Sequence, residues 1–172
     1  MHIAVSAVGV DRPGIVAAVS RVVFEHGGNI EDSRMALLGG HFAMMLIVAV
    51  PEGTDAADLE GALSSATAGM DLVVSARPVA ETPQGHAQGD AYVLTVYGAD
   101  RPGIVADVTG ALAASNANIT DLATHVAEGN VYIMVIEVGL PAGADPEAVE
   151  AAVRRAGGGV DISFHPLEAE TL

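Results

Sequence analysis

Two short, nearly identical motifs contain the residues whose types and spacing suit the binding of a small anion. The first copy is Asp11-Arg12-Pro13-Gly14-Ile15 and the second is Asp100-Arg101-Pro102-Gly103-Ile104. Proline suits the first turn of a helix, so each motif predicts a helix that starts near the proline, with the arginine at the N-cap. Arginine offers no side-chain acceptor to the free N–H groups of that turn. These groups could therefore hold a carboxylate at the positive end of the helix dipole.

The glycine of each motif fits the same chemistry. Gly14 and Gly103 lack a Cβ atom, so a carboxylate could approach the main chain closely. Two other interpretations of the motif remain open. The motif could be a tight corner with no ligand, or Asp11 and Asp100 could fold back as N-caps and close the site.

A second repeated pair supplies an amide beside the predicted sheet. Asn29-Ile30 and Asn118-Ile119 each open a predicted strand, and Asp32 and Asp121 follow them. An asparagine amide can accept from an ammonium group and donate to a carboxylate. In its own unit, however, the asparagine is expected at the far end of the helix from the glycine corner. A shared site would need two units side by side, and the alternative is that the asparagine only holds a turn.

The elements that must position these residues repeat in the order βαββαβ. In the first unit we predict strands at 2–8, 29–38, 41–50 and 70–79, with helices from Pro13 to the Gly27-Gly28 pair and from Thr54 or Asp55 to Ala66. In the second we predict strands at 91–97, 118–127, 130–139 and 159–167, with helices at 102–115 and 145–156. This order predicts the α+β class, with two ferredoxin-like domains whose antiparallel sheets carry helices on one face. The expected domains are 1–79 and 91–168, joined by a polar linker at 80–90 and followed by a frayed tail.

Composition excludes several classes of function. The 172 residues carry a formal charge of −15 with seven Lys and Arg, so we expect no direct nucleic-acid binding and no attachment to a membrane. There is no cysteine, and the six histidines never fall at the close spacing of metal ligands. We expect a cytoplasmic protein without metal or cofactor. Units of this size are marginally stable alone, which favours a homodimer.

The repeated motifs resemble tandem ACT domains, the small regulatory modules that bind amino acids. Within that class the chain resembles the glycine cleavage system transcriptional repressors. The resemblance implies that a small amino acid lies at an interface between domains, held by residues 11–15 or 100–104 and by the asparagine that opens the second strand. It also implies a protein partner, either a transcriptional regulator or a metabolic enzyme.

Three hypotheses of function follow from the residues and the resemblance. The first, which we favour, is an amino-acid-binding regulator that alters a partner protein. The second is an interaction module without a small ligand, in which strand edges pair with a copy or a partner. The third is a detached regulatory subunit of a metabolic enzyme. We expect no enzymatic activity, because the formyltetrahydrofolate deformylases that share this corner need a further catalytic domain.

Overall fold

The computed structural model describes residues 1–80 and 90–167. They fall into two compact units, one within residues 1–83 and one within residues 84–172. Most of the predicted linker and all of the predicted tail at 168–172 lie outside the described residues. Each unit is therefore described by itself.

The first unit has the predicted order of elements. Its strands are β1 (His2–Val10), β2 (Asn29–Leu38), β3 (His41–Ala49) and β4 (Leu72–Val79), and its helices are α1 (Ile15–Glu25) and α2 (Ala56–Ala66). The Gly39-Gly40 pair turns β2 into β3 with positive φ at both glycines, as the hairpin prediction required. Asp55 caps α2 by accepting from the Ala57 N–H at 2.8 Å.

The second unit repeats this order. Its strands are β5 (Ala91–Ala99), β6 (Asn118–Ala127), β7 (Val131–Gly139) and β8 (Asp161–Pro166), and its helices are α3 (Ile104–Ala114) and α4 (Pro146–Gly157). Both sheets are antiparallel, with strand orders β2-β3-β1-β4 and β6-β7-β5-β8. The predicted fold class, two ferredoxin-like βαββαβ units, is confirmed.

One helix boundary was predicted wrongly in both units, and it bears on the site. Helix α1 begins at Ile15 and not at Pro13, while β1 continues to Val10. The second unit shows the same shift, with α3 beginning at Ile104. The Asp-Arg-Pro-Gly segment is therefore a tight connection between strand and helix, and the proline precedes the N-cap instead of occupying the first helical position.

Each unit has its own hydrophobic core between the sheet and its helices. In β3 and β7 alternate side chains are buried, which is the period-two pattern of a strand with one covered face. The first core includes Phe42, Leu59 and Leu63, all essentially inaccessible to solvent. The second includes Leu94, Leu112 and Ile136, and there Tyr92 stacks on Phe164 with ring centroids 4.7 Å apart. Burial of these side chains holds each helix layer against its sheet.

A carboxylate from α2 completes the hydrogen bonding of the edge strand β4. Glu60 Oε2 accepts from the Ala76 N–H at 2.8 Å in a partly buried position. We expect Glu60→Ala to lower the free energy of unfolding by about 1.5 kcal/mol, because it leaves that N–H without its acceptor. Urea denaturation would measure the change. Glu150→Ala is the matched control in α4. Glu150 pairs with Arg154 on an exposed surface, so its loss should cost less than about 0.5 kcal/mol, and equal effects of the two changes would contradict the prediction.

Strand β2 forms an open edge of the first sheet. All ten of its residues are exposed, including Met35, Leu37 and Leu38, the last at 73%. Strand β6 occupies the same place in the second sheet and is exposed along almost its whole length. Edge strands of this kind offer main-chain donors and acceptors to another strand.

Candidate functional site

The first candidate site is the corner between β1 and α1. Gly14 is the N-cap of α1, with φ 96° and ψ −8°, and no side chain among the described residues caps this helix. The first helical hydrogen bond runs from Ala18 N–H to Gly14 O at 2.9 Å. The N–H groups of Ile15, Val16 and Ala17 precede that bond and lie at the positive end of the helix dipole. The corner therefore offers main-chain donors to an anion.

The matching corner between β5 and α3 has the same backbone. Gly103 is the N-cap with φ 89° and ψ −7°, again without a capping side chain in the described part of the chain. Asp107 N–H donates to Gly103 O at 2.9 Å and begins the helical series. Two corners with the same main-chain geometry thus occur in the chain, one in each unit.

The predicted roles of several corner residues need correction. Arg12 and Arg101 were expected at the N-caps. Gly14 and Gly103 occupy that position instead, and both have a left-handed backbone conformation. The alternative in which Asp11 and Asp100 cap the helices is wrong, since neither carboxylate bonds the first turn. Pro13 and Pro102 are exposed and precede the caps.

Glycine is required in the corner for its backbone conformation. A Cβ atom added to Gly14 would meet only Met70 Cε, at 3.9 Å, and one added to Gly103 would meet nothing within 4 Å. Space is therefore available, but a positive φ of this size is strained for other residues. The open space that the missing Cβ leaves beside the N–H groups agrees with the predicted access for a small ligand.

The isoleucines contribute their main chain and not their side chains. Ile15 and Ile104 are buried in the two cores, at 1% and 2% exposure. Each side chain anchors the start of its helix to the sheet, so that only the N–H group faces the corner. Each corner is also tied to its neighbouring hairpin, by Asp11 N–H to Gly40 O and by Asp100 N–H to Asn130 O, both at 3.1 Å.

The asparagines do not reach the corner of their own unit. Asn29 pairs with Ala49, which pairs with His2, whereas Gly9 at the other end of β1 pairs with Phe42. At about 3.3 Å per residue, the seven positions from Phe42 to Ala49 correspond to about 23 Å. Asn118 has the equivalent place opposite Gly139. The structure thus groups residues 11–15 together and residues 100–104 together, and places both asparagines and the following Ile30 and Ile119 at the opposite ends of the sheets.

A β-bulge follows each asparagine and was not predicted. The pairing register shifts between Ile30 and Asp32, and again between Ile119 and Asp121. The variable residue of the Asn-Ile-x-Asp motif is thus the extra residue of the bulge, Glu31 in one unit and Thr120 in the other. The Asn-Ile-x-Asp motif therefore has a structural role, because the bulge bends the edge strand just after the asparagine.

The two corners differ in the contacts of their arginines. Arg101 Nη1 donates to Asp107 Oδ2 at 2.9 Å, and Nη2 donates to Gly157 O at 3.0 Å. Arg12 is exposed and forms no hydrogen bond or ion pair with the described residues. The sequence signal for this difference is the acidic residue in the first turn of α3, since α1 has none.

Two other functional features are absent from the described residues. Residues 1–80 and 90–167 contain no group of three or more His, Asp or Glu arranged to hold a metal ion. None of the helices within those ranges is long and apolar enough to cross a membrane.

The family models for one domain type match both units, at residues 1–76 and 92–158, and both are described as the ACT domain. The chain belongs to the ACT-domain family. One match falls in each of the two ferredoxin-like units, so this is a tandem ACT protein, and both glycine corners lie inside matched regions.

Two of the relatives match this chain over most of its length, and a third matches a short part of it. The glycine cleavage system transcriptional repressor of Escherichia coli (strain K12) is 30% identical over 158 residues, which cover 89% of this chain and 82% of the repressor. The crystal structure of an unknown protein from Galdieria sulphuraria is 32% identical, with a TM-score of 0.82 over 97% of this chain and 98% of its own. A UPF0237 protein from Methanopyrus kandleri is 48% identical over 28% of this chain and 53% of its own. This tandem ACT protein is related to the glycine cleavage system repressor.

Proposed function

We propose that this tandem ACT protein is a regulator that binds a small amino acid at ACT-domain interfaces and thereby modulates a partner protein. The observation that carries the proposal is the repeated glycine corner, where each helix starts with uncapped main-chain N–H groups. A carboxylate accepted by such groups forms charge-assisted hydrogen bonds. The open space beside Gly14 and Gly103 leaves these N–H groups accessible to a small carboxylate.

The ammonium group of the ligand needs an acceptor that the corner's main-chain donors do not supply. We propose that Asn29 or Asn118 of an adjoining ACT unit supplies it, since the side-chain amide both accepts and donates. This requires two units side by side, and a homodimer provides such a neighbour. The exposed edge strands β2 and β6, which begin with these asparagines, suit that role.

The partner in this proposal is a protein and not DNA. A chain of formal charge −15 would be repelled by the phosphate backbone, so regulation through a second protein agrees with its charge. The relative from Escherichia coli is named as a transcriptional repressor, which favours a transcriptional regulator of glycine or one-carbon metabolism as the partner. A metabolic enzyme is the alternative partner. Nothing in the proposal requires the chain to be an enzyme.

A thermal-shift screen of the purified protein against the twenty amino acids tests the binding step. A ligand that binds only the folded state, at about 100 times its dissociation constant, adds about 2.7 kcal/mol to stability. We expect a rise of several degrees in Tm for one small amino acid such as glycine or serine. No rise for any amino acid at millimolar concentration would contradict the proposal.

A pair of glycine variants tests whether the corner is the place of binding. Gly14→Ala and Gly103→Ala each put a methyl group beside the N–H donors of one corner, and the double variant should abolish the amino-acid-induced rise in Tm. Gly53→Ala is the matched control, because Gly53 has a similar φ of 85° and lies in open space in the loop between β3 and α2. Each of the three changes should cost about 1 kcal/mol of stability from backbone strain. If the double variant keeps the full ligand response, the corners are not the site.

The exposed edge of β2 favours a second candidate, an interaction module without a small ligand. In that case the main-chain groups of β2 would pair with a strand of a partner, and its apolar side chains would be covered. A protein that binds its partner with equal affinity in the presence and absence of every amino acid would support this second candidate.

A further inference from the structure

A cavity of about 250 Å³ lies in the second unit, between the start of β5 and the start of α4. It is lined by Asp90 and Tyr92, by the loop at residues 140–144 and by Pro146. Pockets for drug-sized ligands measure about 300–1,000 Å³, so this cavity suits a smaller group. It lies at the opposite end of β5 from the corner at 100–104 and is therefore a separate feature.

The first unit fills the equivalent place with its own side chain. Val50 N–H donates to Met1 O at 2.9 Å, and Leu140 N–H donates to Asp90 O at 3.1 Å, so Met1 and Asp90 have equivalent positions. Met1 is partly buried and packs against the first core, whereas Asp90 is exposed. An aspartate side chain is shorter than that of methionine and carries a charge. The space that Met1 occupies in the first unit is therefore left open in the second.

The polar groups beside the cavity are free to bind a ligand. The side chains of Asp90 and Tyr92 form no hydrogen bond or ion pair with the described residues. The ring of Tyr92 stacks on Phe164, with centroids 4.7 Å apart, which holds it in place. A carboxylate next to an aromatic ring and two prolines suits a cation that carries an apolar chain.

The charges around the cavity favour a cation over an anion. Residues 90–167 contain ten Asp and Glu but three Arg, and none of these arginines lines the cavity. The positive end of the α4 dipole is nearby, but it is already compensated. Asp145 Oδ1 accepts from the Glu147 N–H at 3.0 Å, and Glu147 adds a second negative charge to the first turn.

We propose that this cavity binds a small aliphatic amine in its ammonium form. The alkyl chain lies against Tyr92 and the loop at 140–144, and the ammonium group lies beside the carboxylate of Asp90. The ligand belongs to a different chemical class from the carboxylate group that the glycine corners are proposed to hold. The second unit therefore binds a cation that the first unit, with Met1 in the equivalent place, does not bind.

Titration of the whole protein with n-butylamine at pH 7, followed by ¹H–¹⁵N NMR, tests the site. The amine is an ammonium ion at this pH, as a lysine side chain is. We expect saturable shifts of the amide signals within residues 140–144, and no saturable shift in the equivalent loop at 50–54. The uncharged 1-butanol should bind about fivefold more weakly, as expected for loss of one exposed ion pair. Equal shifts in the two loops, or equal affinities for amine and alcohol, would overturn the proposal.

A charge variant tests the role of the carboxylate. Asp90→Asn keeps the size of the side chain, so it should weaken the binding of n-butylamine about fivefold and leave that of 1-butanol unchanged. Asp161→Asn is the matched control, because Asp161 is exposed and pairs with Tyr97 at the other end of β5. Equal weakening by the two changes would mean that the amine responds only to the net charge of the unit, and would overturn the site.

A filling variant tests the cavity itself. Asp90→Met introduces the residue of the first unit, and its side chain should fill the space beside Tyr92 and abolish the shifts within residues 140–144. Asp90 is exposed, so the change leaves the second core intact. Binding of n-butylamine that survives this change would overturn the proposal. The thermal-shift response to glycine or serine should persist in the variant, so failure of the amine site is distinguishable from failure of the proposed function.

Discussion

Replacing Gly9 by alanine is expected to lower the free energy of unfolding of the first unit by about 3 kcal/mol, at the upper end of the range for overpacking. Gly9 lies in β1, and a Cβ atom there would be 2.2 Å from Asp71 O and 2.8 Å from Leu72 Cδ2. Cβ atoms do not approach other heavy atoms so closely. The nearest obstacle is a main-chain oxygen and cannot rotate away, so the backbone of β1 or of the turn before β4 must move.

Urea denaturation monitored by far-UV circular dichroism would measure this loss. Gly61→Ala is the control, because Gly61 lies inside α2 with no atom within 4 Å of an added Cβ. That change should stabilise the same unit by about 1 kcal/mol, the difference in helix propensity between the two residues. Gly98→Ala should have a smaller effect than Gly9→Ala, since its nearest obstacle is the side chain of Val160 at 2.8 Å. An unchanged urea midpoint for Gly9→Ala would contradict the prediction, because it would mean that the backbone moves aside without loss of stability.

Truncation of Phe42 is expected to cost about 3–5 kcal/mol, the range for removing a buried aromatic ring. Phe42 is 2% exposed, lies in β3 opposite Gly9 and is among the largest fully buried side chains of the chain. Phe42→Ala leaves a cavity under the strand that leads into the corner. The amino-acid response should be lost with the fold of this unit.

Phe24→Ala provides a control of the same residue type in the same unit. Phe24 lies on α1 and is 72% exposed, so its removal should change stability by no more than about 0.5 kcal/mol. Thermal and urea unfolding of both variants would give the comparison. Similar losses for the two would mean that the exposed face of α1 is covered in solution.

The fold was predicted well from local sequence patterns, because the ends of strands and helices depend mainly on neighbouring residues. The bounds of β2 were predicted to the residue, since an asparagine opens it and the Gly39-Gly40 turn closes it. The start of α1 was misplaced because proline and glycine both have roles at helix starts. In this chain the left-handed glycine, and not the proline, sets the N-cap.

The composition of each corner could be predicted from the repeat, but the difference between the corners could not. The contact of Arg101 with Gly157 joins residues far apart in sequence, and only the packing of α3 beside α4 brings them together. The β-bulge at Glu31 was equally hidden, because it depends on the register of two paired strands. The asparagines were correctly expected at the far end of the sheet, since that follows from strand direction alone.

A binding corner made of main-chain N–H groups tolerates mutation differently from one made of side chains. The donors of Ile15, Val16 and Ala17 exist whatever side chains those positions carry, provided that the helix forms. Only the left-handed glycine and the buried anchor of the first turn are hard to replace. If both corners bind a carboxylate as proposed, that main-chain anchor is inherited with the backbone in both units, while ligand choice can diverge through the surrounding side chains.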